Sequence, residues 1–135
     1  GDEPLLVFAH HPIKNTSRLS WRTMMHVDED CNLDMVLAKK RGPAFYISAH
    51  NHCDSILHSG QWTYLQSACE LEHPAIKNIE IDAEHLSFYY EDLETPDLAA
   101  ARAEFLSDMP FFSPYGSPAR GSVLERQLYV NFLAD

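Results

Sequence analysis

The stretch YISAHNHCDSI, Tyr46–Ile56, decides how the fold is interpreted, because a strand-like run ends in it on two histidines. The aromatic and β-branched residues of AFYIS, Ala44–Ser48, predict a buried strand. His50 and His52 come shortly after it. An earlier apolar run, PLLVF at Pro4–Phe8, also predicts a buried strand and is also followed by two histidines. Both runs therefore show the same pattern, a strand that ends on histidine.

The segment between these two runs predicts a loop followed by a helix. Pro12 and the polar residues after it favour turns. Asp30 or Asn32 can cap the start of a helix, and Gly42 with Pro43 ends it. The apolar stripe of this helix consists of Leu33, Val36 and Leu37. The order strand, loop, helix, strand predicts a layered α/β unit with both histidine pairs at the C-terminal ends of strands, where ligands bind in open α/β sheets.

The rest of the chain predicts more strands and one long helix. Gln61–Ala68 alternates like a strand, and Ala75–Tyr90 predicts two strands joined by a turn. Thr95–Asp108 predicts a helix that Thr95 caps. Met109–Ser122 is rich in Pro, Gly and Ser and predicts a loop. The spacing of apolar residues in Val123–Ala134 fits a helix and a strand equally well.

Length and charge narrow the functional classes. The chain has 135 residues, enough for a domain with a real core. Its formal net charge of −10 argues against a broad nucleic-acid or anionic-membrane surface. A small phosphorylated ligand stays compatible, because bound metal cations would neutralise it. No apolar run approaches the roughly 20 residues that span a bilayer, so we expect a soluble protein. The cytoplasm and export both stay open.

The cysteines and the first residue leave two questions open. Cys31, Cys53 and Cys69 fit neither a disulfide framework nor a zinc finger, and we interpret them as separate small hydrophobic residues. One disulfide with one thiol left over is the alternative. The chain begins with Gly1 rather than Met, which indicates processing, proteolysis or the design of the expressed chain. Whether residues precede Gly1 in the native gene product stays open.

Four of the eight histidines form the two pairs His10–His11 and His50–His52. Imidazole is a strong ligand for zinc, manganese and iron. On a regular strand His50 and His52 would share a face and one ion, whereas a turn would let them bind two ions. The alternative is that each is an ordinary surface or hydrogen-bonded histidine. We interpret His73 and His85 as surface residues, and Asp54 as a turn residue or as a group that orients a histidine ligand.

LLVFAHHPI, Leu5–Ile13, together with YISAHNHCDSI resembles the C-terminal half of the calcineurin-like metallophosphoesterase family. That family has a strand ending in His-x-Pro, then a helix and a strand leading to Gly-His-x-His, then further strands and a hairpin. The resemblance covers about Pro4–Asp92. It implies an α/β fold, the C-terminal half of an αββα sandwich with a mixed sheet. Residues 1–92 would form this half-domain, and 93–135 would pack on it as helix, loop and terminal element.

The resemblance also implies site residues. His10 and His50 would bind one metal ion and His52 the other, in a pair of divalent or trivalent ions such as Zn, Mn or Fe, with Ca or Mg as alternatives. His11 has no fixed role in the family; it would either orient a metal ligand or face the substrate, and we assign it as the candidate catalytic residue. Ala49 stands where the family has Gly, so the turn before His50 is expected to differ slightly.

The family's carboxylate motifs are missing from this sequence: Asp-x-His, a bridging Asp and Asn-His-Glu. The resemblance therefore implies either that an N-terminal half or a partner chain supplies them, or that the chain is a degenerate relative. A complete site would hydrolyse a phosphorylated small molecule or a phosphoprotein through a metal-activated water. Whether this chain alone is active stays open.

Two alternatives belong to other functional classes. One is a non-catalytic metal-binding or interaction module, with the aromatic residues Trp21, Trp62 and Phe111–Tyr115 facing a partner. The other is a fragment of a larger multidomain synthase, because LEHPAIKNIEID at Leu71–Asp82 resembles linkers in reductase-like subdomains of such enzymes. That second alternative explains none of the histidines.

Overall fold

The computed structural model describes residues 1–108 and 120–133. These residues form β1 Leu5–Phe8, α1 Leu33–Leu37, β2 Ala44–Ser48, β3 Ser55–Ser59, β4 Trp62–Gln66, β5 Ala75–Ile81, β6 His85–Asp92, α2 Pro96–Asp108 and β7 Gln127–Asn131. Short 3-10 turns lie at Glu29–Cys31 and Val123–Glu125. Most of the predicted loop Met109–Ser122, including Phe111–Tyr115, lies outside the described residues.

The strands form two sheets. The first has the order β1-β2-β4-β3, with β1, β2 and β4 parallel and β3 antiparallel to β4. The second, β5-β6-β7, is antiparallel throughout. The chain is therefore a mixed α/β protein with two sheets and few helices. The first sheet is mixed, as expected.

Side-chain alternation along β2 gives the first sheet two buried faces. Phe45 points to the second sheet and packs in a cluster with Leu65 of β4 and Leu86 and Phe88 of β6. The neighbouring residue Tyr46 points the other way. It lies in a cluster with Ile13, Leu37, Ala44 and Trp62, which joins the loop after β1 and helix α1 to the sheet. Burying each large apolar side chain contributes about 1.5–3 kcal/mol, so β2 is the centre of the fold.

The strand and helix predictions are largely confirmed, with three differences. β1 is an edge strand, and its residue Phe8 is 67% exposed rather than buried. The helix α1 ends at Leu37 rather than at Gly42 and Pro43, its predicted stripe residue Val36 is 59% exposed, and Asn32 occupies the N-cap position without a side-chain capping bond. The strand β3, Ser55–Ser59, was not predicted.

The C-terminal part of the chain contributes the helix α2 and the strand β7. Thr95 caps α2 by accepting a hydrogen bond at Oγ1 from the Leu98 amide at 3.2 Å. The ambiguous segment after residue 122 forms β7, whose pairing with β6 sets Leu128 opposite Phe88. No helix within 1–108 or 120–133 is long and apolar enough to cross a membrane.

Candidate metal sites

The ends of β1 and β2 bring two histidines together. The parallel register sets Phe8 opposite Ile47, so the chain leaves both strands at the same edge of the sheet. The Ala49 amide then donates to the His10 carbonyl oxygen at 3.0 Å, which extends the pairing past the strands. His50 follows immediately and lies beside His10. Ala49 itself has no positive φ, so alanine is accommodated there without strain.

His10, His11 and His50 form the first candidate site, and we call them the histidine group. One ring nitrogen from each lies within 4.8 Å of the other two. His50 Nδ1 is 3.2 Å from His10 Nε2, and the ring centroids of His11 and His50 are 3.9 Å apart. A metal ion could be held by this arrangement after small side-chain movements.

The protonation of the group suits a metal ion. His50 Nε2 is 3.0 Å from the Met24 carbonyl oxygen, which only accepts, so Nε2 carries the proton. In the neutral ring this leaves a lone pair on Nδ1, the atom that faces His10. Burial, and then the charges of His50 and His10, lower the pKa of His11. The neutral form of His11, the form that metals bind, is therefore favoured.

His52 does not join this group, because the chain turns after Ser48. His50 and His52 both have positive φ, 58° and 55°, so the geometry of a regular strand does not apply to them. Between them, Asn51 is buried, and its Nδ2 donates to the carbonyl oxygens of Arg18 at 3.2 Å and Met25 at 3.1 Å. This anchor separates the two rings into different clusters.

The second candidate site consists of His52, Cys69 and Glu72, which we call the mixed group. One potential ligand atom from each lies within 4.8 Å of the other two. Glu72 Oε2 is 3.3 Å from His52 Nδ1, and Cys69 Sγ donates to the same oxygen at 3.3 Å. Burial, and then the hydrogen bond to Glu72, raise the pKa of Cys69. Cys69 and Glu72 were not predicted as ligands from the sequence, because their Cys-x-x-Glu spacing is too common to indicate a metal site.

The prediction that His73 is a surface residue is wrong. Its side chain is 2% exposed, with Nδ1 2.6 Å from Asp54 Oδ2 and Nε2 2.8 Å from Asp92 Oδ1. Asp54 thus orients a histidine, as one interpretation proposed, but that histidine lies outside both candidate sites. Asp54 also accepts bonds from the Ala68 amide and the Tyr90 hydroxyl, each at 2.7 Å. Burial, and then the charge of Asp54, raise the pKa of Tyr90, so its hydroxyl stays a donor.

His85 and the three cysteines are the other residues that the sequence singled out. His85 is partly exposed, with Nδ1 2.9 Å from Asp82 Oδ1 and its ring stacked on Tyr129. All three cysteines are free thiols: Cys31 is exposed, Cys53 is buried and Cys69 is intermediate.

No protein-family model matches the chain, and no curated protein or solved structure shows significant similarity to it. Inferences about function therefore start from the residues and the geometry of the two groups.

Proposed function

We propose that this chain is the histidine-bearing half of a metal-dependent phosphoesterase. The observation that supports the proposal most is the histidine group: three ring nitrogens from the ends of two parallel strands lie within 4.8 Å of one another. His10 and His50 would bind one ion, and His52 would bind a second. His11 would face the substrate. The resemblance of these segments to the metallophosphoesterase motifs supplies the reaction class.

The rings of the histidine group are oriented so that they can hold an ion. The Met24 carbonyl fixes the proton of His50 on Nε2 and so directs Nδ1 to the ion. The lowered pKa of His11 keeps that ring neutral, available to accept a proton or a hydrogen bond from a substrate or water. A bound pair of ions would supply Lewis-acid activation of water for attack on phosphorus.

The proposed substrates are phosphorylated small molecules or phosphoproteins. The formal net charge of −10 disfavours nucleic acid, and it makes the metal ions the main local positive charge for a phosphate. Among the described residues no carboxylate belongs to the histidine group. Dinuclear hydrolases use carboxylates with histidines around their ions, so we propose that a partner chain or an N-terminal half supplies them.

The same observation favours a second candidate function. A group of three imidazoles without a carboxylate can hold one ion and need not catalyse anything. The chain would then be a metal-binding or interaction module in which the ion stabilises the ends of β1 and β2.

Metal analysis and hydrolysis assays on the purified full chain separate these functions. We expect the wild-type chain to bind a transition metal and, when metal-loaded, to hydrolyse the activated ester p-nitrophenyl phosphate or its diester slowly even before the carboxylate-bearing half is added. The double variant His10→Ala/His50→Ala should lose one equivalent of metal together with the hydrolysis, whereas His85→Ala should lose neither. Metal binding without hydrolysis would favour the second candidate. Unchanged metal content in the double variant would refute both.

A further inference from the structure

We infer that the mixed group, His52, Cys69 and Glu72, is a mononuclear site for a zinc-type cation with one coordination position open to solvent. The site shares no residue with the histidine group. It extends the proposed function at one point, by naming the ligands that accompany His52. Metal binding at the mixed group can be measured whether or not the chain hydrolyses a phosphate ester.

The turn after β4 places two of the three ligands, Cys69 and Glu72, on the same side of the chain. The amides of Glu72 and His73 both donate to the Cys69 carbonyl oxygen, at 3.0 and 2.9 Å. This single helical turn sets residues three apart on the same side, as in a longer helix. Arg102 of α2 fixes the turn from outside, because its Nε donates to the Leu71 carbonyl oxygen at 2.7 Å and its Nη2 to that of Glu72 at 3.1 Å.

A buried oxygen of Glu72 without a hydrogen-bond partner favours a cation-binding role for this side chain. The Glu72 side chain is only 1% exposed, and its Oε1 is buried without a hydrogen-bond partner. A buried carboxylate oxygen without a partner is costly, and such a group in a native fold calls for an explanation such as a bound ion. The atoms that lie beside Glu72 Oε2 are His52 Nδ1 and Cys69 Sγ, and both are of types that bind metal ions.

The spacing of the donor atoms fits zinc. Ligands at about 2.0–2.3 Å from a tetrahedral zinc lie roughly 3.4–3.6 Å from one another. Glu72 Oε2 is already 3.3 Å from His52 Nδ1 and 3.3 Å from Cys69 Sγ, so an ion requires little rearrangement. The combination of imidazole, thiolate and carboxylate is typical of zinc rather than of calcium or magnesium, which prefer oxygen ligands.

Charge and exposure are consistent with an open zinc site. Metal binding would release the Cys69 thiol proton to solvent, and the thiolate and the Glu72 carboxylate would together neutralise a divalent ion. Three protein ligands leave the fourth tetrahedral position for water or a ligand oxygen. The His52 side chain is 31% exposed, so solvent reaches the group on that side.

Cobalt titration of the full chain tests the ligand set directly, since Co²⁺ replaces zinc and a cobalt–thiolate bond gives a charge-transfer absorption band. We expect one equivalent of Co²⁺ to produce this band. Cys69→Ser should abolish it, and Glu72→Gln should weaken Co²⁺ binding about 100-fold, the upper end of the effects of altered metal surroundings. Cys31→Ser, which removes an exposed thiol, is the matched control and should leave the band intact.

The histidine group serves as the control for the other proposal. His10→Ala/His50→Ala should retain the cobalt–thiolate band even though it loses hydrolysis. If the wild-type chain shows the cobalt–thiolate band but does not hydrolyse the phosphate ester, the phosphoesterase proposal alone is refuted. No band in the wild-type chain, or a band that survives Cys69→Ser, would refute the mixed-group site alone.

Alkylation of the wild-type chain avoids any effect of substitution on folding. At a Zn²⁺ concentration 100 times Kd, the metal-free form falls to about one hundredth, so alkylation of Cys69 should slow about 100-fold. Cys31 should react at the same rate with and without Zn²⁺. Peptide mass spectrometry gives both rates, and an unchanged rate at Cys69 would overturn the inference.

Discussion

The histidine group and His73 show two opposite ways in which this fold treats imidazole. His73 is 2% exposed and lies between two carboxylates, with Asp54 and Asp92 each contacting one ring nitrogen. Each ring nitrogen of His73 therefore has a carboxylate partner. His10, His11 and His50 instead contact one another and the Met24 carbonyl, and no carboxylate belongs to their group within the described ranges.

The difference indicates which histidines are structural. A buried imidazole that belongs to the fold needs hydrogen-bond partners, and His73 has a carboxylate on both sides. Three imidazoles placed against one another gain little from each other and repel when protonated. Such a cluster is explained more readily by a cation that binds there than by a contribution to folding.

Removing His73 should give the largest effect on stability. His73→Ala removes the ring nitrogen that lies 2.6 Å from the buried Asp54 Oδ2 and opens a cavity, and breaking a buried pair in this way costs about 3–5 kcal/mol. Urea denaturation measures the free energy of unfolding. His85→Ala is the control, since its contact with Asp82 is exposed, and it should cost less than about 1 kcal/mol. Equal losses in the free energy of unfolding for the two variants would contradict the structural role of His73.

Adding metal should give the next largest effect, with separate contributions from the two candidate sites. One site at a Zn²⁺ concentration 100 times Kd raises the free energy of unfolding by about 2.7 kcal/mol. We expect the histidine group to contribute this increment in the wild-type chain, beside that of the mixed group, and a chelator to reverse it. The double variant His10→Ala/His50→Ala should lose the increment of the histidine group and keep only the contribution of the mixed group. An increment in the double variant as large as that of the wild-type chain would show that the histidine group binds no metal.

The elements that could be predicted from the sequence are those whose buried residues form a recognisable pattern within a short segment. β2 was predicted with its observed bounds because both of its faces are buried, so its residues form a continuous apolar run. β3 was missed because SILHS at Ser55–Ser59 carries only two large apolar residues, and its pairing with β4 is not visible locally. The segment Val123–Ala134 stayed ambiguous because only the pairing of β7 with β6 selects the strand.

The candidate sites were predictable only where strand direction determines them. Parallel strands end at the same edge, which is why both histidine pairs could be placed at that edge from sequence, whereas the pairing of His10 with His50 came from the family resemblance. The contact between His52 and Glu72 depends on a turn after β4, and no local signal shows it. His73 was misplaced because its partners, Asp54 and Asp92, each lie 19 residues away in the sequence.

Acid should weaken the fold through Asp92, by a smaller amount. The hydrogen bond from His73, and then the charge of Arg120, lower the pKa of Asp92 below its ordinary 3.8. A carboxyl group with a lowered pKa stabilises the fold above its unfolded pKa, and the contribution is lost as the pH falls through its folded pKa. Because the Asp92 side chain is 44% exposed, we expect less than about 1 kcal/mol.

Asp92→Asn should therefore reduce the loss of stability between neutral pH and the acid range below 3.8. Unfolding free energies measured across this range give the slope for each chain. Glu104→Gln, at an exposed position of α2, should keep the wild-type slope. An identical slope for Asp92→Asn and the wild-type chain would mean that Asp92 does not share in the stabilisation of His73.

The smallest expected effect is that of His50→Ala in a chelator, and it tests the comparison most directly. The substitution removes one hydrogen bond to the Met24 carbonyl oxygen, and it also removes the crowding of His50 against His10 and His11. We expect these terms nearly to offset, leaving a change within about 0.5 kcal/mol, as for ordinary surface substitutions. With saturating Zn²⁺ the variant should then be clearly less stable than the wild-type chain. A loss of about 2 kcal/mol or more without metal would instead class His50 with His73, as a histidine retained for the fold.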